Sequence, residues 1–122
     1  MKGLNSSILN VALSLSDGSL SNHSLISKTL QKALIINDNS ILDTLSDESL
    51  KNATEIDNER KKGTKFPLLA GIPISIKDNF NVKGSKTTAG SELLKNYISV
   101  YDATIVESLK KCRILVSKGI LN

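Results

Sequence analysis

Tryptophan is absent from the 122 residues and aromatic side chains make up only 3% of them, so any core must be built from Ile, Leu, Val and Ala. Cysteine occurs once, at Cys112. That excludes an internal disulfide and any multi-cysteine metal site, and makes a reducing cytoplasm the simplest compartment. No apolar run approaches the roughly 18 residues of a membrane-spanning helix, so no membrane association is expected. The first residues also lack the apolar stretch and small-residue cleavage site of a secretory signal. Residues 1–20 are rich in Ser and Asn in the manner of an organellar transit peptide, yet contain no Arg. Organellar targeting stays open on that ground, with the cytoplasm as the simpler reading.

Histidine is equally scarce. A Ser-His hydrolase would have to use His23, which lies in a helical region with no acidic neighbour in sequence and reads as a solvated side chain. The formal charge of +4 and a pI near 9.2 would suit a nucleic-acid partner, but the basic residues are spread along the chain. Their one dense cluster, Arg60, Lys61, Lys62 and Lys65, follows directly on Glu55, Asp57 and Glu59. This pattern reads as a solvated helix end and gives no basis for a direct nucleic-acid site.

What is present is apolar periodicity. Leu4, Ile8, Leu9, Val11, Ala12 and Leu15 recur close to one helix face before the break at Ser16-Asp17-Gly18-Ser19. From Ser21 or Ser24, both suitable caps, Ile26, Leu30, Ala33 and Leu34 predict a second helix running to about Ile36. Ile41 to Leu45 is too short to classify. Ser46-Asp47-Glu48 then opens a third helix that runs to Lys62, where Gly63 stops it. With Leu50, Ala53 and Ile56 its only core candidates, that helix is expected on the surface.

The pattern changes at Phe66-Pro67. Ile72, Ile74 and Ile76 alternate with Pro73, Ser75 and Lys77, which predicts a strand with one buried face and Pro73 among its first residues. A loop rich in Gly, Ser, Thr and Lys follows from Asn79 to Ser91. Asp102 is then placed to cap a helix carrying Ile105, Val106, Leu109 and Cys112 on one stripe, and Cys112 there reads as a small buried hydrophobe. Ile114, Leu115 and Val116 predict the next strand. Strand, crossover helix and strand form a βαβ unit, and with three helices before it the class is α/β. Such a unit normally sits within a larger covered sheet, so the isolated chain is expected to be marginally stable and prone to associate.

Strand, Gly-rich loop and helix also describe a P-loop. The spacing fails, because Lys86 follows Ser85 and the position five residues before Ser85 holds Phe80 instead of Gly. Lys77 is the more informative residue. A lysine ending a strand is most often a solvated charge, but Lys77 stands at the carboxyl end of a strand in an α/β chain, where active sites collect. It can act as a general base only when neutral, which calls for burial or nearby positive charge, and an apolar strand environment would supply part of that.

Three ordered blocks carry a resemblance. They are Leu69-Ala70-Gly71-Ile72-Pro73-Ile74-Ser75-Ile76-Lys77-Asp78-Asn79, then Lys83-Gly84-Ser85-Lys86-Thr87-Thr88-Ala89-Gly90-Ser91, then Tyr101-Asp102-Ala103-Thr104-Ile105-Val106-Glu107. Over roughly residues 66–112 the chain resembles the opening of the amidase-signature family, and most of all its glutamyl-tRNA(Gln) amidotransferase branch. The resemblance implies an incomplete α/β/α amidase fold, with residues 1–65 a helical lead-in and residues 66–122 the start of the amidase-signature domain. It implies that Lys77 is the base of a Ser-cisSer-Lys triad. It also implies an activity: hydrolysis of the glutamine amide, with the ammonia passed on to amidate glutamyl-tRNA(Gln). The other amidotransferase subunits would be its partners and bring that tRNA, and no metal or organic cofactor is implied.

Both triad serines belong to a Gly-Ser-rich segment further along the family's chain, and nothing after Lys77 here resembles it. The chain alone is therefore expected to be inactive. After the last helix the family has a Gly-Ala pair, an apolar strand and then Gly-Lys-Thr-Asn, whereas this chain has Arg113, Ile114-Leu115-Val116 and Ser117 to Asn122. That departure suggests a truncated or decayed reading frame. The rival readings are another amidase-signature hydrolase acting on small amides, and a non-catalytic interaction module that uses the helical lead-in as its binding surface.

Overall fold

A computed structural model describes residues 7–35 and 46–120, the last six of these by backbone alone. The elements run α1 (Ile8–Ser16), α2 (Asn22–Ile35), α3 (Ser46–Lys61), β1 (Pro73–Lys77), a 3₁₀ turn (Glu92–Leu94), α4 (Thr104–Lys111) and β2 (Leu115–Ile120). Leu4 and the Ile41–Leu45 segment fall outside the described residues. No described helix is long and apolar enough to cross a membrane.

Local chemistry sets the helix ends. Ser7 Oγ accepts the Asn10 N–H at 3.3 Å and starts α1. Of the two candidate caps for α2, Ser21 is the one used: its hydroxyl accepts the Ser24 N–H at 3.1 Å. The N–H groups of Asn22 and His23 donate to Asp57 of α3 at 2.8 and 2.9 Å. A helix with no acidic residue in its first turn thus takes its negative charge from a neighbouring helix. At the end of α3, Gly63 turns at φ +88, Thr64 N–H reaches Glu59 O at 3.1 Å and Gly63 N–H reaches Arg60 O at 3.0 Å. These are the paired bonds of a Schellman ending.

Packing departs from the sequence pattern in instructive ways. α3 is more than a surface helix, since Ala53 and Ile56 are completely buried against Ile26, with Leu30, Leu50 and Phe66 around them. Because α3 crosses the first half of α2, Leu25 and Ile26 are buried there while Leu34 and Ile35 remain about 80% exposed. A second cluster joins Val11 and Leu15 of α1 to Leu25, and the half-buried Ile72 packs on it.

β1 and β2 pair in parallel, from Pro73 opposite Leu115 to Lys77 opposite Ile120, with an irregularity between Ile76 and Lys77. Pro73 is the first residue of its strand, as its missing N–H requires. The expected buried face of β1 is incomplete. Ile76 lies under Val82 and Val106 of α4, but Ile74 stays exposed because nothing in the described chain covers it. Cys112 is also exposed, contrary to its reading as a buried hydrophobe. Its backbone N–H closes the last turn of α4, which leaves Val106 and Leu109 to hold the helix down.

The two halves meet at Gly71. This residue has φ +84, donates its N–H to Arg113 O at 2.8 Å, and lies against the fully buried Asn22. A Cβ at this position would fall 1.6 Å from Asn22 Nδ2. Beside it, Arg60 Nη2 donates to Ala70 O at 3.1 Å, and the guanidinium carbons of Arg60 and Arg113 stand 5.5 and 5.4 Å from the Phe66 ring centre.

Gly71→Ala is expected to destabilise the chain by about 2 kcal/mol or more, from backbone strain and the displaced Asn22, read as a lower urea midpoint. Leu93, Val100, Tyr101 and Ile105 are exposed, and among the described residues the sheet has only two strands, each with one unpaired edge. Sedimentation of the 122-residue chain is accordingly expected to show concentration-dependent species heavier than 13.2 kDa.

Candidate active site

β1 ends on Lys77, and its side chain is exposed. The apolar surroundings expected for it are not provided by the described residues. Asp78, the next residue, turns inward and is only 7% exposed. Its carboxylate accepts the Thr88 N–H at 3.1 Å and the Thr88 hydroxyl, while its carbonyl accepts the Ala89 N–H at 3.2 Å. The far end of the Gly-rich loop is thereby tied back to the carboxyl end of β1, directly beside Lys77.

That loop is an ordered element. Lys86 and Ile98 form an antiparallel bridge, flanked by bonds from Thr87 N–H to Tyr97 O (3.1 Å) and from Ser99 N–H to Ser85 O (2.9 Å). The Thr87 and Ser99 hydroxyls pair at 2.5 Å, Ser99 Oγ also donates to Asn81 Oδ1 at 2.9 Å, and Ser85 Oγ donates to Val82 O at 2.8 Å. Ser85, Thr87 and Ser99 are all buried, and their hydroxyls bond within the loop instead of facing a phosphate. The P-loop rejected on spacing is thus unsupported by geometry as well.

Asp102 does not cap α4. Ala103 occupies the cap position and makes no side-chain bond. Asp102 instead accepts the Lys83 N–H at 2.7 Å and the Lys110 ammonium at 3.0 and 3.1 Å, clamping the loop to α4. Burial alone would raise its carboxyl, but the Lys83 N–H and the Lys110 ammonium outweigh that and hold it below the usual carboxylate range.

His23 lies far along the chain from Lys77, in an open cleft between the α1–α2 turn and α3 that Asp57 and Arg60 also line. Among the described residues no group of three His, Cys, Asp or Glu is placed to hold a metal ion. Sequence reasoning singled out Lys77 and missed Asp78. The available signal was a carboxylate directly after the lysine together with a threonine ten residues on, in a loop that needs an anchor.

Helices leading into a parallel βαβ unit, with a lysine at the carboxyl end of the first strand, define an α/β protein. The amidase family model matches residues 24–116, and the chain belongs to the amidase family. Over 65 residues, 53% of this chain, it is 51% identical to the A-type subunit of the glutamyl-tRNA(Gln) amidotransferase of Fusobacterium nucleatum subsp. nucleatum and covers 13% of that protein. It is 40% identical over 73 residues, 60% of this chain, to an A-type subunit of the same enzyme from Clostridium acetobutylicum, of which it covers 15%. The native peptide amidase from Stenotrophomonas maltophilia superposes with a TM-score of 0.86 over 95% of this chain and 24% of its own, at 26% identity. The chain therefore spans only 13–15% of the length of these two amidotransferase relatives.

The Asp102 clamp gives a pH prediction with a definite sign. A carboxyl held low in the folded state contributes stability above the unfolded carboxylate range, and that contribution is lost as the pH falls through the lowered value. Asp102→Asn is expected to cost about 0.5–1.5 kcal/mol at neutral pH, solvent screening of the Lys110 pair included, and to flatten the loss of stability between neutral pH and about pH 3, both read from urea midpoints.

Proposed function

We propose that Lys77 is the general base of a Ser-cisSer-Lys triad in a glutamine-hydrolysing amidotransferase, with both serines contributed from outside these 122 residues. The observation that carries this reading is the location of Lys77 at the end of β1, beside a loop fastened by its neighbour Asp78. The 51% identity to a glutamyl-tRNA(Gln) amidotransferase chain supports the choice of substrate.

In this mechanism the nucleophilic serine Oγ attacks the side-chain amide carbon of glutamine while its proton passes through the cis-serine to Lys77 Nζ. The C–N bond breaks and the proton returns to the leaving ammonia, after which water releases glutamate from the acyl-enzyme. Lys77 needs to be neutral to start the cycle, and because it is exposed here the cover that desolvates it has to come from outside the described residues. Partner subunits then use the ammonia to amidate glutamyl-tRNA(Gln).

The 122-residue chain alone is expected to release no ammonia from glutamine or asparagine above a buffer blank, even with partner subunits and glutamyl-tRNA supplied. Joining residues 1–112 to the remainder of the Fusobacterium nucleatum protein should yield glutaminase activity. Lys77→Ala in that chimera should lower it by on the order of a thousandfold or more. Lys77→Arg should fail as well, because arginine stays protonated and cannot accept the proton. Ammonia from the short chain, or a chimera indifferent to Lys77→Ala, would overturn the assignment.

A further inference from the structure

The latch between Asp78 and Thr88 is built differently from the hydroxyl pairs of the loop. There, neutral hydroxyls bond to one another, but here a carboxylate is withdrawn from solvent, which is costly unless several donors meet it. Thr88 supplies two of them, its N–H and its hydroxyl, and the Asp78 carbonyl takes a third bond from Ala89. The turn so held is strained: Ala89 and Gly90 follow one another in the left-handed region, at φ +48 and +73. An alanine keeps that conformation only where its neighbours impose it. The strained turn is thereby bonded to the residue that directly follows Lys77.

We propose that Asp78 is a positioning residue for amide hydrolysis, which rests on the reading of Lys77 as the base. By holding Thr88 and Ala89 it fixes residues 88–91 as one wall of the substrate site at a set distance from Lys77. Both groups that define the reaction geometry on this side, the base and the wall, then hang on consecutive residues of one strand end. A small displacement of either lowers the rate without removing a reacting group.

Hydrogen exchange on the 122-residue chain reads the latch itself. Asp78→Asn is expected to speed exchange of the Thr88 and Ala89 amides by about tenfold or more, while the Gly84 and Ser99 amides, held beside the Lys86–Ile98 bridge, change by less than about twofold. Unchanged Thr88 and Ala89 exchange overturns the proposal. Should Asp78→Asn loosen the whole chain, Thr88→Val, which deletes only the hydroxyl, is read by the same criterion.

The chimera reads the function. Asp78→Asn and Thr88→Val should each lower kcat by about tenfold to a hundredfold with KM within about threefold, and Thr88→Ser, which keeps the hydroxyl, should retain the parent kcat. A loss confined to KM, or a kcat loss that persists in Thr88→Ser, would overturn the positioning role and leave Asp78 a support of the fold. Lys77→Ala separates the two claims. If it stays active, the base assignment falls; if it is dead while Asp78→Asn matches the parent, only the positioning role falls.

Discussion

Gly71 turns with φ +84 directly against the buried Asn22 side chain, so the backbone leading into β1 approaches the first turn of α2 more closely than any side chain at that position would permit. Much else follows from this approach. It brings the Gly71 N–H onto Arg113 O, which fixes where α4 ends relative to β1, and it sets Ile72 on the cluster of Val11, Leu15 and Leu25. The same junction gathers Arg60, Phe66, Arg113 and Glu59 into one stack, with Arg113 and Glu59 paired at 3.5 Å. Burial pushes the Arg60 guanidinium below its ordinary value and the charge of Asp57 opposes that shift. Asp57 therefore serves twice, as acceptor for the first two N–H groups of α2 and as counter-charge to Arg60.

Arg113 illustrates how the junction tolerates a departure from the family pattern. The resemblance leads one to expect a Gly-Ala pair after α4, and the backbone at Arg113 does adopt φ +58, a region that favours glycine. The arginine occupies it because its side chain finds both the Phe66 face and Glu59, and because its carbonyl is committed to Gly71. Strain at one residue is offset by contacts with three others, Glu59, Phe66 and Gly71, all of them distant in sequence.

The site follows the same logic at the opposite end of β1. Lys77 is exposed and Asp78 is buried because the chain turns immediately after the strand, sending one side chain outward and the next into the loop. Two carboxylates fasten that loop, Asp78 to its far end and Asp102 to its near end through Lys83. With both ends pinned, the buried hydroxyls of Thr87 and Ser99 satisfy each other, and the loop holds its shape without a hydrophobic core of its own.

Much of this was legible in the sequence. Period and capping chemistry are local, so the helices, the strand ending at Lys77, the βαβ order and the place of Pro73 could be read from neighbours a few residues apart. Family likeness in the Lys77 block singled out the residue that geometry sets at the strand end. Burial was read less well, because apolar spacing says which residues share a face and not whether another element covers it. Ile74, Leu34 and Cys112 are exposed where no described element lies over them, while Ala53 and Ile56 are fully buried because α2 does. The roles of Asp57, Asp78 and Asp102 were decided only by tertiary structure. Each carboxylate bonds to donors 8 to 35 positions away, and which donors lack a local partner is settled only when the elements pack.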